Sequence, residues 1–339
     1  MIAAPNQSLV GYELSNQFRI FDDGHQGLLN ITGVSQNSFD LPTRHISLSY
    51  IDIAAGYYGF SYLTKALLHD SGKVRRITTQ WQWLDPSCNT SSLKNNTAGV
   101  LVLLHGWGRN KNSLLSYGLA FAQQGYRVII PDLRGHGDST GDWVSFGAVE
   151  GRDISALMDQ LAIEKYDVVG FSLGASTGLH TASLDKRVDQ LVVVAPMHSL
   201  AQTIPKFAKQ SPVWLRKIIA SEQKSALALV NNMSGYAYAQ TSNSVSPARL
   251  ITKPVLFVYG DNDKMSDYPL NKLLFDQGSK NNKLHRLEGL RHTYVLLHQS
   301  ELMKPINQWL GLNELPINDE VSYKCSFKQF STKQNPLKS

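Results

Sequence analysis

Six short, largely apolar runs recur between residues 100 and 287 of this 339-residue chain, most of them separated by helical pattern. They are Val100–Leu104, Arg127–Pro131, Asp167–Gly170, Leu191–Ala195, Val255–Tyr259 and Lys283–Leu287. Runs this short, bounded by turn residues, are expected to be strands. Helices are expected at Leu114–Gln124, Ala148–Leu161, Ala175–Leu184, Tyr268–Asp276 and Glu301–Leu310. A helix between two strands returns the chain to the same sheet edge, so the strands run mostly parallel. The expected fold class is α/β, a mostly parallel central sheet with helices on both faces. The alternation fails once, between Pro196 and Pro254, where only mixed helical sequence from Leu200 to Gln240 is found.

The third run leads into Gly170-Phe171-Ser172-Leu173-Gly174 and then a small-residue helical stretch. Strand, G-x-S-x-G and helix together form the setting of a nucleophile elbow. The turn raises a serine hydroxyl above the sheet edge, and the glycines are needed where a Cβ would collide with a neighbour. A serine hydroxyl needs a base to take its proton. That base needs an acid to fix its tautomer and stabilise its cation. Downstream, the run Val255–Tyr259 ends in Gly260-Asp261-Asn262-Asp263, and the run Lys283–Leu287 is followed by Glu288-Gly289-Leu290-Arg291-His292. Both groups fall on loops at one sheet edge, where function concentrates.

Four segments in this order resemble the serine α/β-hydrolase family, in particular its monoacylglycerol-lipase-like and serine-aminopeptidase-like branch. They are Leu103-Leu104-His105-Gly106-Trp107-Gly108, Pro131-Asp132-Leu133-Arg134-Gly135-His136-Gly137-Asp138-Ser139, the elbow, and the paired acid and histidine loops. The resemblance covers about Val100 to Leu312. It implies the α/β-hydrolase fold with Ser172 as nucleophile, Asp263 as acid and His292 as base. Asp261 is the rival acid, and Asp263 is preferred because the family acid stands three residues after the glycine that closes the strand. The residue before the histidine, often glycine in the family, is Arg291 here. Leu173 and Trp107 are the implied oxyanion-hole donors, through their backbone N–H groups.

The resemblance also implies that the strandless interval is a small helical cap inserted at about 198–248. Phe207 and Trp214 are its candidate substrate-binding residues. Either its apolar side packs on the domain while its lysines are solvated, or it is a lid that meets lipid. The implied activity is hydrolysis of a carboxylic ester or thioester of a small to medium acyl group, through an acyl-enzyme. An aminopeptidase-like amidase is the alternative, and a non-catalytic binding protein of the same fold is a further one. Serine at the elbow excludes the chemistries that place aspartate there.

The remaining sequence bounds the answer. Apolar content of 42% and charged content of 18% are those of a globular protein. The net charge of +6 is mild, with no basic stripe interleaved with aromatics, so no nucleic-acid partner is expected. The expected partner is a small-molecule acyl substrate, and the oligomeric state is left open. No H-E-x-x-H, C-x-x-C or phosphate-loop pattern occurs, so neither metal nor cofactor is expected. His105, His136 and Asp138 are expected to shape loops, while His198 is a candidate substrate contact.

No stretch of 18 apolar residues is present, so no transmembrane segment is expected. Met1 to Val10 lacks a signal-peptide pattern, and a cytoplasmic location is expected by default. Cys88 and Cys325 make no disulfide framework, and a single bridge between them stays open. Residues 1–95 read as an N-terminal extension, with strands expected at Leu28–Val34 and Ser47–Ile53. Tyr57–His69 is ambiguous, and Val74–Leu84 alternates like an antiparallel edge strand. Residues 96–312 form the hydrolase core, and 313–339 a polar, loosely packed tail.

Overall fold

A computed structural model describes residues 2–3, 28–41, 45–68, 74–84, 98–197, 206, 243–312 and 327–334. In chain order the strands are β1 (Ile2–Ala3), β2 (Val34–Leu41), β3 (Ile46–Ile53), β4 (Ser61–Leu68), β5 (Val74–Leu84), β6 (Gly99–Leu104) and β7 (Tyr126–Pro131). They continue as β8 (Trp143–Val144), β9 (Tyr166–Phe171), β10 (Val188–Val194), β11 (Val255–Gly260), β12 (Lys283–Leu287) and β13 (Phe327–Gln334). Eight strands form the central sheet in the order β12-β11-β10-β9-β6-β7-β3-β2. The six from β12 to β7 pair parallel, while β3 and β2 close the far edge antiparallel. The α/β fold expected from the alternation is the fold observed.

The central strands are apolar throughout because both faces are covered. One face packs into a core with Phe121, Val169, Val192, Val258 and Ile306, the other into a core with Val102, Val168, Val193, Phe257 and Leu274. Alternate residues of one strand go to opposite cores, as Val168 and Val169 of β9 do, which is the pleat at work. The helix Leu173–Leu184 is buried along its length from Leu173 to Thr181, so it is held by packing on the sheet and not by an amphipathic stripe.

Three expectations are corrected outside the parallel core. Leu28–Val34 is not a strand: Leu28 and Leu29 are helical, and two successive turns lead into β2. Leu28 and Ile31 are both buried, at a helical spacing of three that a strand would send to opposite faces. Val74–Leu84 is antiparallel but is not an edge. It is the centre of a separate three-stranded sheet, in the order β13-β5-β4, which also settles Ser61–Leu68 of the ambiguous Tyr57–His69 stretch as strand. The tail after residue 312 is not uniformly loose, since Phe327–Gln334 pairs with β5 over eight positions.

Trp81 and Trp83 of β5 are buried in the core shared with the central sheet. Thr64 of β4 completes the junction: its N–H donates to Ser300 Oγ at 2.9 Å, and the Ser300 N–H returns a bond to Thr64 Oγ1 at 2.9 Å. The cap interval lies almost wholly outside the described residues, as do Phe207, Trp214, His198, Cys88 and Cys325. Within its span Lys206 pairs with Asp267 at 2.7 Å, and a short helix, Val245–Leu250, leads back to β11. No helix among the described residues is long and apolar enough to cross a membrane.

Candidate active site

The loops after β6, β7, β9, β11 and β12 all leave the same edge of the parallel sheet, so residues far apart in sequence meet there. Ser172 sits between the end of β9 and the helix Leu173–Leu184, with φ +54° and ψ −108°. Such a backbone conformation costs a non-glycine residue about 1–3 kcal/mol and persists only where its surroundings impose it. Here they do. The Ser172 N–H donates to Val194 O at 2.9 Å, and its carbonyl accepts the Ser176 N–H at 3.1 Å. A Cβ on Gly170 would lie 2.2 Å from Gly174 O, and one on Gly174 would lie 2.1 Å from Leu104 O. The two glycines are therefore demanded by backbone contact on both sides of the serine.

Ser172 Oγ lies 2.9 Å from His292 Nε2, and His292 Nδ1 lies 2.7 Å from Asp263 Oδ2. An ionised carboxylate only accepts, so Nδ1 carries the proton and Nε2 accepts the serine hydroxyl. The other oxygen of Asp263 accepts the N–H groups of Met265 and Ser266 at 2.8 and 2.9 Å. The Asp263 side chain is fully buried, while the imidazole keeps 17% of its surface exposed. His292 opens a six-residue helix, His292–Leu297, where a loop was expected.

The rival acid is placed elsewhere. Asp261 Oδ1 accepts the Gly289 N–H at 2.7 Å, bracing one loop against the next. The two loops also meet through Asn262 N–H, which donates to Leu290 O at 3.2 Å. A Cβ on Gly260 would lie 2.3 Å from that same carbonyl. Glycine at 260 thus lets the acid loop and the histidine loop approach.

Burial opposes the cationic form of His292, but the Asp263 charge and hydrogen bond outweigh it, and the imidazole titrates above its ordinary 6.5. Burial also pushes the Asp263 carboxyl up, yet His292 and the two backbone donors reverse this and hold it below the usual carboxylate range. Arg109 acts on His292 in the lowering direction.

The loop after β6 lies against the serine. A Cβ on Gly106 would fall 3.4 Å from Ser172 Cβ. Trp107 follows; its indole stacks on Phe146 with centroids 5.4 Å apart and meets His136 edge-on at 5.6 Å. Leu173, buried, is the first residue of its helix, so its N–H is among those with no partner in a preceding turn. Beneath this loop lies a group that the sequence reading did not assemble. Lys111 Nζ bonds Asp132 Oδ2 at 2.7 Å and also reaches Asp138. Asp132 accepts the backbone N–H groups of Lys111 and Asp138 at 2.6 and 2.9 Å. His105 Nε2 accepts the Leu133 N–H at 3.0 Å, and its Nδ1 then donates to Gly106 O at 2.9 Å. The available signal was Asp132 and Asp138 within the quoted loop segment, but nothing local points to Lys111 as their partner.

Residues 99–237 match the family model described as the alpha/beta hydrolase fold. Over 96 residues the chain is 38% identical to the pimeloyl-(acyl-carrier protein) methyl ester esterase of Pectobacterium carotovorum, covering 28% of this chain and 36% of that protein. It is 37% identical over 95 residues to epoxide hydrolase 3 of Siraitia grosvenorii, covering 26% and 30%. The matched region thus spans about a third of each curated relative. The solved esterase Pf2001 of Pyrococcus furiosus shares the fold with a TM-score of 0.53 at 18% identity, over 74% of this chain and 91% of that one. These matches and the sheet topology give the chain the α/β-hydrolase fold.

Proposed function

We propose that the chain is a serine hydrolase that cleaves a carboxylic ester or thioester of a small to medium acyl group. The hydrogen-bonded line Ser172–His292–Asp263 carries this reading. His292 Nε2 takes the hydroxyl proton as Ser172 Oγ attacks the acyl carbon. Asp263 holds the tautomer and stabilises the imidazolium, which then protonates the leaving alcohol. The N–H groups of Leu173 and Trp107 receive the developing oxyanion. A preorganised donor of this kind contributes about 3 kcal/mol to lowering the barrier. Water then attacks the acyl-enzyme with His292 again as base, releasing the acid and restoring the serine. The matched relatives include both an ester hydrolase and an epoxide hydrolase. Serine at 172 favours the acyl-transfer branch, because epoxide opening at an elbow uses a carboxylate.

Labelling with a fluorophosphonate tests the reading. The wild-type chain becomes labelled and Ser172→Ala does not. Equal labelling of a folded Ser172→Ala protein overturns it. A parallel panel of esters, thioesters and aminoacyl amides separates the ester reading from the amidase one. Phe207 and Trp214, outside the described residues, are proposed to set the accepted chain length. Alanine at one of them should shift the optimum across an acetyl-to-decanoyl ester series more than it changes acetyl-ester turnover. Remote apolar contact adds binding for long chains and leaves the reacting carbonyl alone.

A further inference from the structure

The three-stranded sheet buries one face and presents the other. Thr64, Thr79, Trp81 and Trp83 are buried, while Leu63, Lys65, Leu67 and Gln80 alternate with them and are exposed. Leu63 is 44% and Leu67 53% exposed, two residues either side of Lys65 on the same strand face. Pairing sets Arg76 opposite Leu67 and Thr78 opposite Lys65, with Lys333 opposite Thr78 in turn. The three strands contain Lys65, Arg75, Arg76, Lys328 and Lys333 but no Asp or Glu, whereas the whole chain holds 33 basic and 27 acidic residues. By register Arg76 and Lys333 stand on the side of Lys65 and the exposed leucines, whereas Lys328 stands opposite the buried Trp83.

We propose that this outer face docks on a lipid bilayer surface rich in anionic headgroups. Lysine and arginine on a surface element are drawn to the negative potential of acidic lipids, over about one Debye length. Leucines between them enter the boundary between headgroups and acyl chains, as on interfacial amphipathic elements. The alternation supplies both on one face and keeps the tryptophans in the core. A single-stranded nucleic acid would call for exposed aromatic platforms. Trp81 and Trp83 are turned inward, and the exposed positions with described side chains carry serine, leucine, lysine and glutamine instead. The inference does not depend on Ser172 acting as a nucleophile.

Vesicle flotation of the full chain tests it, using phosphatidylcholine vesicles with and without phosphatidylglycerol, at low and high salt. The wild type should float with the anionic vesicles only. Lys65→Glu should reduce the bound fraction severalfold, and salt should do the same. Leu63→Ser combined with Leu67→Ser should reduce it to a similar degree, because electrostatic attraction alone holds weakly. All variants should keep the wild-type urea midpoint and the wild-type turnover of a soluble acetyl ester, since these side chains are exposed. Lys65→Gln serves if the charge reversal disturbs folding. Absence of wild-type flotation, equal flotation with neutral vesicles, or undiminished flotation of both folded variants overturns the proposal. So does retention on a single-stranded RNA homopolymer that falls with Lys65→Glu and ignores the leucine change.

Discussion

Two buried polar groups flank Gly106, and each centres on an aspartate with a fully buried side chain. On one side Asp263 holds His292; on the other Asp132 holds Lys111. Each also has an imidazole with its proton on Nδ1 and an acceptor at Nε2. What differs is the partner at Nε2. His105 accepts a backbone N–H, which never leaves, while His292 accepts the Ser172 hydroxyl, which can. Lys111 is spent on two carboxylates and is 2% exposed; His292 keeps an open edge. On the proposed reading, the same ingredients make a fixed brace in one place and a proton-transfer chain in the other, according to whether one end of the network is left exchangeable.

The largest effect expected from this contrast is a double dissociation. Ser172→Ala should lower ester kcat by a factor of ~10⁴ to 10⁶, because such groups act as a unit. Its urea midpoint should correspond to a change of less than about 0.5 kcal/mol. Lys111→Met should do the reverse, costing about 3–5 kcal/mol by leaving Asp132 buried without its cation. Turnover per folded molecule should stay within a few-fold of wild type. Equilibrium unfolding and active-site titration read both quantities. Loss of turnover in Lys111→Met at unchanged stability would merge the two groups into one machine.

Next in size is the choice between the acids. Asp263→Asn should cost kcat a factor on the order of 10⁴, since an amide would present a donor to Nδ1 and favour the wrong tautomer. Asp261→Asn removes only a carboxylate that braces the Gly289 N–H, and should cost less than about tenfold. Steady-state kinetics of the two variants decide it, and a larger loss for Asp261→Asn would reverse the roles.

How much of this was written in the sequence follows the same divide between local and distant partners. The parallel strands were legible because burial on both faces leaves continuous apolar runs such as Val255–Tyr259. The serine turn was legible because backbone contact at Gly170 and Gly174 permits no side chain. The resemblance, through the position of the family acid after the glycine, favoured Asp263, and in the structure that residue, and not Asp261, lies against His292. What was hidden depended on partners far away in the chain. Phe327–Gln334 has a polar sequence and becomes strand through pairing with Val74–Leu84, more than 240 residues earlier. Val34–Leu41 lies on the sheet's exposed edge, so most of its residues are free to be polar. Lys111 looks like a surface lysine until the loop after β7 folds its two carboxylates over it.

A smaller effect concerns pH. In the proposed mechanism His292 must be neutral to accept the serine proton, so its upward shift should put the acidic limb of kcat/KM above pH 6.5. Stability should run on different groups. Burial pushes His105 down to about 4 and His136 down to about 3. Their unfolded counterparts take up protons near 6.5, so between that value and their folded values the unfolded chain binds more protons. The stability they contribute is therefore complete above about pH 6.5 and is lost as pH falls toward 3–4. Asp263, held low, acts in the same sense at more acidic pH. Its contribution is present above the ordinary 3.8 and disappears as pH falls through its folded value. His292, held high, acts oppositely: its contribution is full below 6.5 and fades as pH rises through its folded value. Urea midpoints at pH 5 and pH 7.5 should show the lower stability at pH 5, and equal midpoints would contradict the burial of the two histidines as neutral groups.

The smallest expected effect tests whether one neighbour is felt differently by the two imidazoles. Arg109 sits on the turn after the Gly106 loop, its N–H donating to Gly106 O at 3.2 Å. Its charge disfavours the cationic form of both His105 and His292. His105 is already held neutral across the working range by burial, so removing the charge changes nothing there that an assay can read. His292 is poised, and removing a nearby cation should let it hold its proton to higher pH. Arg109→Gln should therefore move the acidic limb of kcat/KM upward while leaving the plateau rate close to wild type. Because the interaction acts through space and is partly screened, the displacement should shrink when the profile is repeated at high ionic strength. The profile is measured on a soluble acetyl ester at both salt concentrations. A downward displacement, or one insensitive to salt, would mean that Arg109 acts by holding the Gly106 loop in shape and not through its charge on His292.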